Sequence, residues 1–134
     1  MQAEKYLIDK ATCVVIKEGS VLTSEKTGIA PVLDWINEGV DLRGAEVADK
    51  IVGKAAAMLF VKAGISKVFA KVLSSSGKAY LDRYGIEVSW ETLTDVIINR
   101  KGTGMCPMEQ TVLEISDCEE GYKALMAAVY GKYN

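Results

Sequence analysis

The sequence predicts an α/β fold built on a mixed β-sheet, because strand-like runs alternate with stretches of helical spacing and the breaks between them fall at glycine, proline or a capping side chain. Three features carry that prediction. Residues 13–16 and 21–23 flank Lys17-Glu18-Gly19-Ser20 as the arms of a hairpin would; Ile29, Val32, Leu33 and Ile36 share one helical face; and residues 65–73 read as a central strand. A chain of 134 residues is expected to form one domain, residues 1–134, with a core that needs no disulfide staples. Sheet and helices would stack as a two-layer or three-layer sandwich.

Taken in order, residues 3–11 carry apolar side chains at helical spacing and are expected to form a short leading helix. After the hairpin, residues 29–37 form a helix with Pro31 in its first turn and Gly39 as its stop. Asp41-Leu42-Arg43-Gly44 is a turn, and Ala45-Glu46-Val47-Ala48 a brief buried strand. Asp49 then caps a long helix that runs to about Lys62 and is closed by Gly64. In this reading Gly53 lies inside that helix at a cost of roughly 1 kcal/mol relative to alanine, which either helix packing or the close approach of a backbone or ligand would explain.

Ser74-Ser75-Ser76-Gly77 leads from the central strand into a helix over residues 78–84, and residues 86–90 form the next strand. Residues 93–99 are ambiguous, β-branched at Val96-Ile97-Ile98 but helically spaced from Leu93 to Ile97. The cluster Arg100-Lys101-Gly102-Thr103-Gly104-Met105 then delivers Cys106 as the cap of a helix over 107–115, with Pro107 in its first position. Ser116-Asp117-Cys118-Glu119 has the form of a capping box and starts the last helix.

Composition limits the function. With 49% hydrophobic and 25% charged residues the chain is neither disordered nor fibrous, and its longest apolar run is too short to span a bilayer. A net charge of −2 gives no general positive field for an extended nucleic acid, although a small nucleotide would still fit locally. The N-terminal residues lack the features of a signal or transit peptide, so a cytoplasmic location is expected. Three cysteines, Cys13, Cys106 and Cys118, fit reduced thiols better than a disulfide framework. The absence of histidine removes the commonest general base and the commonest zinc ligand.

Several residues are candidates for chemistry. Val52-Gly53-Lys54-Ala55 and Ser76-Gly77-Lys78-Ala79 repeat a Gly-Lys-Ala triplet near the starts of two helices; if those starts converge, N–H groups and ammonium groups face one cavity suited to phosphate or carboxylate. Neither copy satisfies the phosphate-loop pattern, and both lysines read equally as surface side chains. Cys106, at a helix start near Arg100 and Lys101, would hold its proton less tightly than a free thiol, and Glu109 on the same turn would accept a proton, bind a donor group or simply offset the helix dipole. Packing beside Met105 and Met108 is the plain alternative for Cys106. Asp49 and Lys50 form a polar pair where a strand hands over to a helix, with capping as the plain role of Asp49. Cys13, Cys118, Trp35 and Trp90 read as packing residues.

The motifs Asp49-Lys50-Ile51-Val52-Gly53-Lys54-Ala55-Ala56-Ala57 and Asn99-Arg100-Lys101-Gly102-Thr103-Gly104-Met105-Cys106-Pro107-Met108-Glu109, with Gly28-Ile29-Ala30-Pro31-Val32-Leu33, resemble an uncharacterised family, domain of unknown function 1893. The resemblance covers most of the chain and implies a cytidine-deaminase-like three-layer sandwich, a mixed sheet flanked by helices on both faces. Active deaminases of that fold hold zinc with His or Cys followed closely by Glu at one helix start and Pro-Cys-x-x-Cys at the next. This chain has neither, so zinc-dependent deamination is not expected, and neither a metal site nor a cofactor is.

The expected function is binding of a small anionic or nucleotide-like ligand without metal, by Asp49, Lys50, Gly53, Lys54, Asn99 and Arg100, with Cys106 and Glu109 as the catalytic pair if there is chemistry. A non-catalytic ligand or redox sensor acting through Cys106, and an assembly protein with an inherited pocket, are the alternatives; a homo-oligomer is compatible with each.

Overall fold

A computed structural model of the chain describes residues 3–6 and 11–131. Its hairpin, β1 (Cys13–Lys17) and β2 (Ser20–Ser24), closes through a two-residue loop, Lys17 pairing with Ser20. Both loop residues have positive φ, 49° at Glu18 and 83° at Gly19, the backbone that lets a tight turn follow the strand twist. A short 3-10 turn, Ala3–Tyr6, stands where a leading helix was expected, and residues 7–10 of that expected helix lie outside the described residues.

Helix α1 (Ala30–Asn37) carries Pro31 in its first turn and buries Val32 and Leu33. It leads to β3 (Glu46–Val52), α2 (Lys54–Ala63), β4 (Lys67–Ser74), α3 (Ser75–Arg83) and β5 (Glu87–Thr94). The five-stranded sheet runs in the order β2-β1-β3-β4-β5, antiparallel from β2 to β3 and parallel from β3 to β5. The crossovers through α2 and α3 step the same way along the sheet, so right-handed connection sets both helices on one face. Helices α4 (Pro107–Thr111) and α5 (Cys118–Tyr130) complete that side, where Phe60, Leu33, Leu81, Val112 and Leu125 share one buried cluster with the sheet. Helix α5 lies tightly on α2: a Cβ at Gly121 would stand 2.5 Å from the Met58 side chain. The other face is covered more thinly, with Ala3, Val14, Ala48 and Phe69 in a small second cluster. The predicted mixed sheet is therefore present, with helical segments against its two faces.

Several boundaries differ from expectation, and the largest shift is at Asp49. It is no helix cap: β3 continues through Asp49 and Lys50 to Val52, and α2 begins only after Gly53, which is the cap residue rather than a mid-helix glycine. Alternation along this strand breaks, which is why it does not read as one. Val47 lines the main core and Asp49 faces the core residue Cys13, yet the next core residue is Val52. The neighbouring strand repeats the slip, with Val68, Ala70 and then Leu73 inward.

The remaining differences are smaller. Helix α3 starts three residues early because Ser74 caps it, its Oγ accepting from Gly77 N at 2.9 Å. Strand β5 reaches Thr94, beyond which the chain turns and makes a single bridge, Ile98 to Met105. Helix α4 ends at Thr111 instead of continuing to 115, and α5 is capped by Asp117, whose side chain accepts from Glu120 N, rather than by Ser116. Trp90, expected in the packing, is 37% exposed.

Glu18 holds a backbone that L residues other than Asn and Asp adopt at a cost. Replacing it with Asn, the residue type favoured at the first position of such a turn, is expected to stabilise the fold by about 0.5–1 kcal/mol, read as a higher urea midpoint with unchanged slope.

Candidate functional site

The starts of α2 and α3 meet. A Cβ placed on Gly77 would lie 2.9 Å from the carbonyl carbon of Gly53, so the two backbones touch at positions where only glycine fits. This is the physical content of the repeated Gly-Lys-Ala triplet. The ammonium groups, however, diverge. Lys54 Nζ donates to the Leu113 carbonyl at 3.2 Å, while Lys78 Nζ pairs with Asp82 at 2.6 Å and lies 5.5 Å from the centre of the Trp90 ring.

What occupies the α2 start is the side chain of Glu109. Its Oε1 accepts from Lys54 N at 2.9 Å and its Oε2 from Ala55 N at 2.8 Å, two of the N–H groups that a helix leaves without internal partners. The carboxylate also fills the space beside Gly53, where a Cβ would come within 2.3 Å of it. Glu109 is 8% exposed, and its negative charge sits at the positive end of the α2 dipole. At the neighbouring start, Ser74 Oγ lies 3.2 Å from Ser76 Oγ in addition to capping Gly77 N. Ser74 was not singled out by sequence; the signal for it was the serine run before Gly77.

The segment from Asn99 to Cys106 is tied down by its own groups. Asn99 Oδ1 accepts from Thr103 N at 3.0 Å and Asn99 Nδ2 donates to Thr103 Oγ1 at 3.1 Å, so the side chain closes its own turn. Arg100 Nη2 reaches Thr27 Oγ1 at 2.6 Å and joins the loop to the start of α1. Cys106 N donates to the Ile97 carbonyl at 2.8 Å, and its half-buried side chain makes no capping hydrogen bond to α4. Three residues later Glu109 brings this segment onto α2, so the Cys106 turn and the Lys54 helix are neighbours. Lys50 lies in β3, its N–H bonded to the Thr12 carbonyl at 3.1 Å.

Asp49 stands elsewhere, inside the sheet opposite Cys13 in the β1–β3 register. Burial pushes its carboxyl up to about 7, against opposing hydrogen bonds from the backbone of Ile51 and Lys50 and from the Cys13 thiol. Cys13 is raised well above its ordinary range, first by burial and then by the Asp49 charge. A hollow of about 360 Å³ lined by Ile16, Lys17, Glu18, Arg43, Gly44 and Glu46 lies at the opposite end of β3 from the helix starts.

The donors at the two helix starts are backbone N–H groups, an ammonium and serine hydroxyls, a set that does not fit zinc. Among the described residues, no three His, Cys, Asp or Glu side chains gather as metal ligands would, and no helix is long and apolar enough to cross a membrane.

With this geometry in view, comparison with known proteins is decisive for the family. The model for the domain of unknown function DUF1893 matches residues 2–128. The chain belongs to the DUF1893 family. It is similar to a crystal structure of a DUF1893 family protein (TM1506) from Thermotoga maritima, with 30% identity and a TM-score of 0.83 over 93% of this chain and 83% of that one. Lower similarity extends to the diaminohydroxyphosphoribosylaminopyrimidine deaminase/5-amino-6-(5-phosphoribosylamino)uracil reductase of Thermotoga maritima, at 20% identity and a TM-score of 0.48 over 60% of this chain and 29% of that one. The apo dCMP deaminase of cyanophage S-TIM5 follows at 19% identity and a TM-score of 0.46, over 60% of this chain and 79% of that one. No curated protein sequence matches the chain.

Two outcomes test this geometry. Gly53→Ala is expected to push Glu109 off its donors and destabilise the protein by about 2 kcal/mol, and Glu109→Ala by about 2–4 kcal/mol, through buried N–H groups left unpaired. Because both act on one contact, the double variant should cost little more than Glu109→Ala alone; additive losses in urea unfolding would separate the two residues. The second outcome concerns pH. A raised carboxyl keeps its full contribution below the unfolded value and loses it as pH climbs through the folded one, so wild type should lose on the order of 4 kcal/mol relative to Asp49→Asn between about pH 4 and about pH 8, at ~1.4 kcal/mol per unit. Parallel unfolding curves for the two proteins across that range would refute it.

Proposed function

We propose that this DUF1893 protein binds a small anionic, nucleotide-like ligand without a metal ion, at the place where the starts of α2 and α3 converge beneath residues 99–109. The observation that carries the reading is the Glu109 carboxylate on Lys54 N and Ala55 N: the α2 start holds an oxyanion, one that the chain itself supplies. A phosphate or carboxylate of the ligand would replace Glu109 on the same two N–H groups. Gly53 has no Cβ in the space that the carboxylate occupies, so an oxyanion in its place can approach the backbone there.

In this reading Lys54, freed from the Leu113 carbonyl, supplies the nearest cation, while Lys50, Asn99 and Arg100 line the approach from β3 and the loop. Asp49, held inside the sheet, supports the strand beneath the site instead of touching the ligand. Glu109 is the internal competitor, and release of its turn would change the surroundings of Cys106, the one thiol on that segment. Chemistry at Cys106, with Glu109 as its acid or base, is the extension of the reading that a catalytic role would require.

Glu109→Gln removes the competing charge while keeping the side-chain shape. Inorganic phosphate and nucleoside monophosphates should then raise Tm by a few degrees at roughly tenfold excess over Kd, equivalent to about 1.4 kcal/mol, and more for the variant than for wild type. The same ligands should slow alkylation of Cys106 by iodoacetamide. No Tm shift in either protein with any of these probes would end the proposal.

A further inference from the structure

We propose that the outer edge of β5 is a homodimer interface, at which a second copy of this chain adds its own β5 antiparallel and continues the sheet across a twofold axis. The inference stands apart from the ligand reading. Strand β5 ends the sheet order, with all its pairing directed inward to β4; among the described residues, no segment pairs with its outer side. It is eight residues long and exposed along almost its whole length, whereas the opposite edge, β2, has five residues. An edge row of free N–H and C=O groups invites another strand, and folded proteins blunt it with lysine, proline, a bulge or shortness. Residues 87–94 contain no Lys, Arg or Pro, and the offset to β4 is the same from Lys67↔Glu87 to Ser74↔Thr94, the pairing being interrupted only between Ala70↔Trp90 and Val72↔Thr92.

The second copy is the occupant that the side chains select. Val88, Trp90 and Leu93 pair with Val68, Ala70 and Leu73, which face the main core, so all three lie on the helix-covered face. Ser89 pairs with Phe69, which belongs to the cluster on the other face, and Thr92 sits beside Leu93 with the opposite orientation. The facing pattern therefore slips by one residue in the middle of the strand. An antiparallel partner must present residues of the same face opposite each other, because opposed side chains share a side of the sheet.

A second β5 does so when Val88 stands opposite Leu93 and Ser89 opposite Thr92, each pair occurring twice. Moving the register by one residue sets Val88 against a side chain of the other face. In the matching register Glu87 meets Thr94 and Glu91 meets Trp90, so no two carboxylates are opposed, and the Trp90 ring already carries Lys78 Nζ at 5.5 Å from its centre. The exposed apolar groups, Trp90 at 37% and Leu93 at 47%, are those the ladder would cover. Twofold pairing of one edge with itself closes at two copies and leaves no further edge of this kind. A ladder of this width buries less than an obligate interface, so the dimer belongs with the dissociable complexes.

Analytical ultracentrifugation of the full chain over the micromolar range should show a reversible monomer–dimer equilibrium that Leu93→Lys shifts to monomer while leaving its Tm as monomer unchanged. The double variant Ser89→Cys/Thr92→Cys should form a covalent dimer under mild oxidation, while either single cysteine does not. Positions three apart on one strand are too distant to link to each other, so the cross-link reports the register between copies. A wild type that stays monomeric, a Leu93→Lys protein that still dimerises, or a double-cysteine variant that does not cross-link overturns the inference. So does an open series of larger assemblies, which would instead mean β5 joined to β2 of the next copy.

Discussion

The seat of the Glu109 carboxylate on the first N–H groups of α2 is the contact on which this architecture turns. A carboxylate taken out of water survives as an anion only where donors replace its hydration, and the start of a helix supplies such donors at its positive end. The contact is made between residues 54 and 55 and a side chain more than fifty positions later. It ties α4 to the start of α2. Helix α4 has five residues and too few internal bonds to hold itself; its place is set by Glu109 on one side and by Lys54 on the Leu113 carbonyl on the other.

That one contact also explains the glycines. Gly53 is required because the carboxylate occupies the space of its missing Cβ, and Gly77 because a Cβ there would meet the Gly53 carbonyl. Two helices whose starts are this close would repel through their aligned dipoles. A buried negative charge between one start and the covering segment offsets that repulsion, and Ser74 Oγ provides a neutral acceptor at the other. The two starts are thus like helix ends held together by acceptors of the chain's own.

How much of this was legible in sequence depended on the range of the interactions. The hairpin was legible because Lys17-Glu18-Gly19-Ser20 determines its turn locally, and α1 because Pro31 and the apolar spacing act within one helix. Pairing of the two Gly-Lys-Ala segments was visible as a repeat, although the divergence of Lys54 and Lys78 was not, since each lysine finds a partner set by tertiary or next-turn geometry. Asp49 was misplaced because a carboxyl before an apolar helical run looks like a cap. Its real environment, across from Cys13 in a neighbouring strand, is a non-local fact, and the slip in strand phase between 49 and 52 hid β3 from any test of alternation. Glu109 was singled out from its position on α4, as a group that accepts a proton, binds a donor or offsets the helix dipole; that its oxygens serve a different helix is a tertiary fact no local pattern carries.

The same slip has a consequence at the edge of the sheet. In β3 and β4 a core lies on the slipped residues, so Val52 and Leu73 find neighbours and the irregularity is absorbed. In β5 the strand inherits the slip through its register with β4 but, among the described residues, has no strand beyond it and only part of the helical layer above, so Trp90 and Leu93 emerge. A regular strand added there would meet the wrong face over half its length. Only a strand with a matching slip fits throughout, and among the described residues β5 itself is the strand that has the slip and an open edge.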